Sequence, residues 1–248
     1  MTHDVPGHHS RFVGSYASVE NPCSGYLVRS DGASVLLDAG PGTLGPLQRE
    51  IDLGELDAIV LTHAHPDHWL ELPVLRNVFL YFVRRTIPVF GTAETAQLNS
   101  DITIGEKTPF VWTTINPSSD VTIGDQRWRF GLADHPVETL GPRVDCGDRS
   151  FVFTADSGPG WDYATVDGID DPIDVALSDA SHLQVHEDRG IPHMSARQAA
   201  VRAREAGVRR LILTHLVPGS DPDAHRAEAE AAYGGPVEVA LPGLTFTI

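Results

Sequence analysis

The chain has 248 residues, 41% of them hydrophobic and 21% charged, which is ordinary for a soluble globular protein with a sizeable core. Its net charge is −16, with one lysine against 17 arginines and no run of basic residues longer than two. This balance disfavours a long nucleic acid as partner, because a protein that follows a phosphate backbone needs a positive face.

Strand and helix patterns alternate along the chain without repeats or a linker. Helices are predicted at 43–51, 69–85, 93–99, 195–206 and 221–233, and Ser195 is a candidate N-cap of the fourth. Strands are predicted at 35–37, 58–61, 87–90, 121–123, 128–130, 143–144, 151–153, 173–177, 209–213, 237–240 and 244–248. Mixed strand-rich blocks punctuated by helices favour an α+β fold in which helices cover the outer faces of the sheets.

Neither a membrane span nor a secretory leader is visible in the sequence. No apolar run approaches the roughly 20 residues that cross a bilayer, and residues 1–10 lack the apolar core of a signal peptide. The two cysteines, Cys23 and Cys146, are too few for a disulfide framework. We therefore expect a cytoplasmic protein with no membrane association, folded as one domain over residues 1–248.

Four candidate metal ligands fall within six positions, directly after the strand pattern at 58–61. They are His63, His65, Asp67 and His68. Imidazole and carboxylate groups at this density suit zinc, iron or manganese. The alternative is a solvated polar loop after a strand, which this spacing disfavours.

Three further candidates, His135, Asp156 and His215, each follow an apolar run that is typical of a strand. Loops that leave a rigid scaffold at the ends of strands can converge on one point. One such histidine alone is more often structural. Three of these residues, added to the cluster at 63–68, favour a shared metal site.

This ordered series resembles the metallo-β-lactamase fold superfamily of binuclear metallohydrolases, over the stretch from Ser24 to Pro236. Two segments resemble its ribonuclease Z-type phosphodiesterase branch: residues 135–143, with the pattern His-x-Val-x-x-x-Gly-x-Arg, and residues 193–200, a helix start. Residues 211–218 and 234–237 are similar to actinobacterial members described as cyclic-nucleotide phosphodiesterases. The resemblance implies an αββα sandwich, with two mixed β-sheets packed face to face and helices on the outer faces.

The resemblance also implies the cofactors, two divalent metal ions, with zinc expected and manganese or iron as alternatives. Asp156 would bridge the two ions, and a hydroxide that they share would attack a phosphodiester bond. Asp67 would also accept a hydrogen bond from that hydroxide and orient it. The implied ligands are His63, His65 and His135 for the first ion, and Asp67, His68 and His215 for the second.

His193 stands apart from the ligands, and the resemblance implies that it approaches the scissile phosphate. There it would stabilise the pentacovalent oxyanion and protonate the leaving oxygen; the alternative is a capping role near Ser195. Asp179 falls where the family usually has glutamate, and it would orient His193 with a shorter side chain. Asp38 is expected to hydrogen-bond to the imidazole of a metal ligand and so orient it. The alternative is that Asp38 only forms a turn.

Departures from the family pattern narrow the expected substrate. Residues 11–16 replace the family's opening strand and glycine-rich turn, and the basic arm by which ribonuclease Z grips transfer RNA has no counterpart. With the acidic charge, these features favour a small phosphodiester substrate, cyclic nucleotides included, over a long nucleic acid. The resemblance further implies a homodimer.

Four other functions stay open. RNA 3′-end processing and hydrolysis of a lactone, thioester or β-lactam are alternatives on the same fold. Oxygen reduction by an iron pair is disfavoured, because that branch usually has glutamate where His65 stands. A binding or scaffold protein that keeps its metals for structure alone is the remaining class.

Overall fold

The computed structural model describes residues 17–18, 21–103, 107–166 and 172–248. The departure from the family pattern at 11–16 lies outside the described residues. Within the described part of the chain, twelve strands form one five-stranded and one seven-stranded sheet. No helix in this part is long and apolar enough to cross a bilayer.

The five-stranded sheet follows the chain order, β1-β2-β3-β4-β5. Its first two strands are antiparallel, and every later neighbour is parallel. Its strands are β1 (Tyr26–Arg29), β2 (Ser34–Leu37), β3 (Ala58–Val60), β4 (Ile87–Gly91) and β5 (Phe110–Thr114).

The seven-stranded sheet has the order β12-β11-β10-β9-β8-β7-β6. Strands β6 to β9 form an antiparallel meander, and β9 to β12 are parallel. The strands are β6 (Asp120–Ile123), β7 (Gln126–Leu132), β8 (Leu140–Cys146), β9 (Arg149–Phe153), β10 (Val175–Asp179), β11 (Arg210–Thr214) and β12 (Val237–Val239).

Six α-helices flank these sheets in the described residues. They are α1 (Leu44–Glu50), α2 (Pro66–Trp69), α3 (Leu72–Asn77), α4 (Ala93–Ile102), α5 (Ala196–Glu205) and α6 (Pro222–Tyr233). Ser195 caps α5 as predicted, because its side chain accepts from the backbone of Gln198 in a capping box. A π-helix, Val78–Val83, and 3₁₀ turns at Leu53–Glu55, Tyr163–Thr165 and Gln184–Arg189 complete the helical segments.

The packing follows from the two-residue period of the strands, which sends alternate side chains to opposite faces. In β2, Val35 and Leu37 join the core between the sheets, where they share a cluster with Trp128 and Leu177 of the other sheet. Leu36 instead joins the outer core with α3. Helices α5 and α6 cover the far sheet in a third core. The α+β architecture with an αββα layering is therefore confirmed.

Two predicted elements differ from the structure. The helix predicted at 69–85 is interrupted after Trp69, because Pro73 lacks an N–H donor and fits only the first turn of a new helix, α3. The segment ends at Arg84, which has a left-handed φ of 59°.

The strand predicted at 244–248 does not form. Phe246 packs against the core between the sheets, and the Arg210 guanidinium lies 5.0 Å from its ring centre. Arg210 also donates to the carbonyl of Thr247. Side-chain contacts thus hold a segment whose alternating pattern resembles a strand but which has no strand ladder.

Candidate metal centre

The candidate ligands leave the sheets at the ends of strands. His63 and His65 lie in the loop after β3, and Asp67 and His68 lie on α2. The other three ligands follow β7, β9 and β11, which run in the same direction, so their carboxyl ends meet at one edge of the sheet. The fold therefore brings loops far apart in sequence to one place.

All seven predicted ligands meet there in two adjacent groups, which Asp156 connects. Within each group the ligand atoms lie within 4.8 Å of one another: His63, His65, His135 and Asp156 in the first, and Asp67, His68 and His215 in the second. A third set at the same spacing shares a member with each group and consists of Asp156, Asp179, His193 and His215. The structure therefore assembles the predicted set.

Asp156 lies between the two groups and presents one oxygen to each. Its Oδ1 is 3.2 Å from His68 Nε2 and 3.3 Å from His215 Nε2. Its Oδ2 is 3.6 Å from His63 Nε2 and 3.9 Å from His135 Nε2. Each carboxylate oxygen of Asp156 therefore faces one group of candidate ligands.

The donor atoms fit divalent cations. Nε2 of His63, His68 and His215 and Oδ1 of Asp156 are buried and have no hydrogen-bond partner. Buried polar atoms are nearly always hydrogen-bonded, so a group of unpartnered atoms that face one another needs an explanation. Imidazole nitrogen and carboxylate oxygen are the ligands that zinc, manganese and iron accept.

Two of the ligand histidines have a polar partner at Nδ1. Asp38 Oδ2 is 2.7 Å from His68 Nδ1, as the sequence analysis expected for a supporting carboxylate. His135 Nδ1 is 3.2 Å from the backbone oxygen of Pro192. Such partners fix the tautomer and the orientation of a ligand imidazole. The contact between His135 and the Pro192 carbonyl was not predicted, because a backbone group leaves no signal in the sequence.

The pKa values of the ligand histidines differ across the site. Burial, and then the charge of His68, hold the pKa of His63 well below its ordinary value. Burial also lowers the pKa of His135. Burial acts on His68 in the same direction, but the carboxylates of Asp156 and Asp38 outweigh it and raise the pKa of His68 well above its ordinary value. Burial thus favours the neutral ring at His63 and His135, whereas the neighbouring carboxylates favour the protonated ring at His68.

His193 and Asp179 form a pair beside the ligands. His193 Nδ1 is 2.7 Å from Asp179 Oδ2, and the ring of His193 stacks on that of His215 with centroids 4.9 Å apart. Burial lowers the pKa of His193, but Asp179 outweighs it and raises this pKa to about 9. The ring is therefore protonated at neutral pH.

Asp179 is completely buried, and the backbone holds it in place. Its Oδ2 also accepts from the N–H of Ser157, and its Oδ1 accepts from the N–H of Ser181. An aspartate at this position therefore does reach the imidazole of His193. His182 is buried nearby, with Nδ1 3.0 Å from Ser181 Oγ, and it belongs to neither ligand group.

Three non-glycine residues at the site have a left-handed backbone. The φ angles are 59° at Asp38, 51° at Ala155 and 58° at His215. Such conformations cost about 1–3 kcal/mol each and persist where the surrounding structure fixes them. Here they occur in a ligand, in the support of a ligand and in the residue before Asp156.

Gly40 allows the loop after β2 to touch the turn that carries Asp67. A Cβ at position 40 would overlap the carbonyl oxygen of Asp67 and lie 2.6 Å from Cys23 Cβ. We expect Gly40→Ala to lower the free energy of unfolding by about 1–3 kcal/mol, the usual cost of overpacking. It should also weaken cation binding, because the turn with Asp67 and His68 must move.

Urea unfolding followed by circular dichroism measures this effect, and Gly45→Ala is the matched control. A Cβ at Gly45, in α1, would meet nothing within 4 Å, so alanine there should be neutral or slightly stabilising. Equal stability and equal cation affinity of the Gly40 variant and the wild type would contradict the close approach.

Comparison with known proteins places this site in a family. A model described as the beta-lactamase superfamily domain matches residues 33–216. The chain belongs to this superfamily. A Bacillus subtilis protein described as a probable metallo-hydrolase, YhfI, is 28% identical over 94% of this chain and 96% of its own length. The crystal structure of YhfI, a metallo-β-lactamase fold protein, superposes with a TM-score of 0.83 over 94% of this chain and 95% of that one.

One further relative by sequence and one further neighbour by fold are named for an enzymatic activity. Ribonuclease Z of Methanopyrus kandleri is 30% identical over 90% of this chain and 92% of its own length. A diphosphatase of the PhnP family superposes with a TM-score of 0.70 over 90% of this chain and 83% of that one, at 18% identity, which shows the fold alone. With the metal-ligand cluster, the superfamily and its metallo-hydrolase relatives identify the chain as a metal-dependent hydrolase.

Proposed function

We propose that the protein is a two-metal phosphodiesterase that acts on small phosphodiesters, cyclic nucleotides included. The observation that carries the proposal is the placement of Asp156 between two groups of ligands, with the His193–Asp179 pair at their side. The first group would hold one divalent cation and the second group another, with zinc expected and manganese or iron as alternatives.

The cations would polarise a phosphoryl oxygen and increase the acidity of water. The chain's own residues supply the remaining steps. Asp67 Oδ2 lies 3.7 Å from both His68 Nε2 and His215 Nε2, so its carboxylate is placed to accept a hydrogen bond from attacking water. Orienting the nucleophile in this way lowers the entropic cost of attack.

His193 is the proposed general acid. Asp179 accepts its Nδ1–H, which leaves Nε2–H free to donate to the phosphoryl group and then to the leaving oxygen. The raised pKa keeps this proton on the ring at neutral pH. A positioned acid of this kind suits an alkoxide leaving group, such as the sugar oxygen of a nucleotide diester.

The net charge of −16 supports a small substrate over RNA. Transfer RNA carries a negative charge at every phosphate, and a chain with this net charge repels it overall. RNA 3′-end processing is the second candidate, because ribonuclease Z of Methanopyrus kandleri is 30% identical over 90% of this chain.

The expected homodimer, cytoplasmic location and single-domain organisation stay predictions.

A substrate panel tests the assignment on metal-loaded protein. It contains bis(p-nitrophenyl) phosphate, 3′,5′-cyclic AMP, a precursor transfer RNA, a lactone, a thioester and a β-lactam. We expect turnover of the two small diesters to exceed all the others. Saturable RNA cleavage above the rate on small diesters would favour the second candidate, and turnover of the lactone, thioester or β-lactam alone would overturn both.

A further inference from the structure

Thr62, the residue before the first ligand, has a buried hydroxyl between a carboxylate and an imidazole. Its Oγ1 lies 3.0 Å from each carboxylate oxygen of Asp38 and 3.0 Å from His63 Nδ1. The backbone N–H of Thr62 donates to Asp38 Oδ1 as well, at 2.8 Å. Asp38 and His63 are completely buried and Thr62 is 1% exposed, so water does not compete for these contacts.

The directions of the hydrogen bonds follow from counting donors. An ionised carboxylate can only accept, and a threonine hydroxyl has one hydrogen to give. Asp38 therefore takes the hydroxyl hydrogen of Thr62, and the Thr62 oxygen accepts from Nδ1–H of His63. In the neutral imidazole the other nitrogen, Nε2, then carries a free lone pair. This Nε2 is buried, unpartnered and 3.6 Å from Asp156 Oδ2.

The same carboxylate supports a ligand in the second group. Asp38 Oδ2 is 2.7 Å from His68 Nδ1, and His68 Nε2 in turn faces Asp156 Oδ1 at 3.2 Å. One buried aspartate, Asp38, thus supports one ligand histidine in each group. The connection is direct to His68 and passes through the Thr62 hydroxyl to His63.

We propose that Thr62 is a positioning residue for the first cation site. Its hydroxyl donates a hydrogen bond to Asp38 and accepts one from His63, and this keeps the proton of His63 on Nδ1. The two sites then depend on Thr62 unequally, because His68 meets Asp38 without it. The proposal depends on the metal centre and not on the phosphodiesterase assignment, so it is tested by cation binding without any substrate.

Thr62→Val removes the hydroxyl at nearly constant shape, and Thr62→Ser is the matched control that keeps it. Zinc is titrated against a competing chelator, and His135→Ala marks which of the two affinities belongs to the first site. Loss of a partner behind a ligand typically weakens metal binding about 10–100-fold. We expect a loss of this size in Thr62→Val at the first site and a smaller loss at the second, where Asp38 still contacts His68, with Thr62→Ser close to wild type. Binding of both cations by folded Thr62→Val as in wild type, or equal losses in the valine and serine variants, would overturn the proposal.

A measurement on the wild type covers the case in which the valine variant does not fold. Nitrogen-15 NMR of the metal-free protein reports which nitrogen of His63 carries the proton before any cation fixes it. We expect Nδ1–H, protected from exchange with water by its bond to Thr62. A proton on Nε2, or an Nδ1–H that exchanges as fast as that of an exposed histidine, contradicts the proposal.

Discussion

Replacing Asp156 by asparagine is expected to remove at least one of two bound cations and to lower kcat/KM by at least about 10³-fold, since metal ions supply several kcal/mol of transition-state stabilisation. The side chain keeps its shape, but one carboxylate oxygen becomes an amide nitrogen. Oδ1 faces His68 and His215, and Oδ2 faces His63 and His135, so either orientation of the amide turns a donor toward one ligand group.

Metal analysis of the dialysed protein, together with turnover of a chromogenic phosphodiester, measures both effects. Asp174→Asn is the matched control, because Asp174 is also buried but binds Ser150 and Arg209 away from the ligands. This control should lose stability and keep its cations. An Asp156→Asn protein with two cations and full turnover would contradict the bridging role.

The sequence predicts the cluster at 63–68 well because its information is local. Four ligands within six positions are close in space in any conformation that the loop adopts. The remaining ligands, His135, Asp156 and His215, are far apart in the chain. The sequence indicates that each follows a strand and that the series resembles a metal-binding family, whereas the reason they meet, that β7, β9 and β11 end at the same edge of one sheet, comes from the structure.

The sequence does not predict contacts that depend on tertiary geometry. Tyr26 on β1 shares a hydrogen bond of 2.8 Å with Thr214, 188 residues away and directly before the ligand His215. The distance from Asp179 to His193 was likewise open to the sequence analysis, because the family usually has the longer glutamate there. The 2.7 Å contact depends on the turns whose N–H groups hold Asp179 from both sides.

The interruption of the helix predicted at 69–85 has a similar origin. Pro73 cannot donate to the carbonyl of Trp69, so a helix that includes Trp69 is broken there. The start of the next helix depends on packing, since Trp69 and Leu72 are almost completely or completely buried in the core beside the five-stranded sheet. Because α2 is only four residues long, it can place Asp67 and His68 independently of the helix that follows.

Replacing His193 by alanine is expected to lower kcat on small phosphodiesters by about 10²–10⁴-fold, the usual contribution of a positioned general acid. The loss should fall mainly on kcat, because the imidazole would act on the phosphoryl and leaving oxygens as charge develops in the transition state. Cation content should stay at the wild-type value if His193 is an acid and not a ligand, because the seven predicted ligands are intact although His193 lies close enough to Asp156 and His215 to share a cation with them. Metal analysis and steady-state kinetics measure these two quantities on the same sample.

Two comparisons separate this role from a structural one. His186→Ala, in the 3₁₀ turn Gln184–Arg189 and outside both ligand groups, should leave kcat unchanged. A substrate with p-nitrophenolate as its leaving group needs little protonation, so His193→Ala should lose less activity on it than on an alkyl diester. An equal loss on both diesters would leave oxyanion stabilisation as the role of His193. A large loss of bound metal would instead show that the ring supports the ligand His215, on which it stacks.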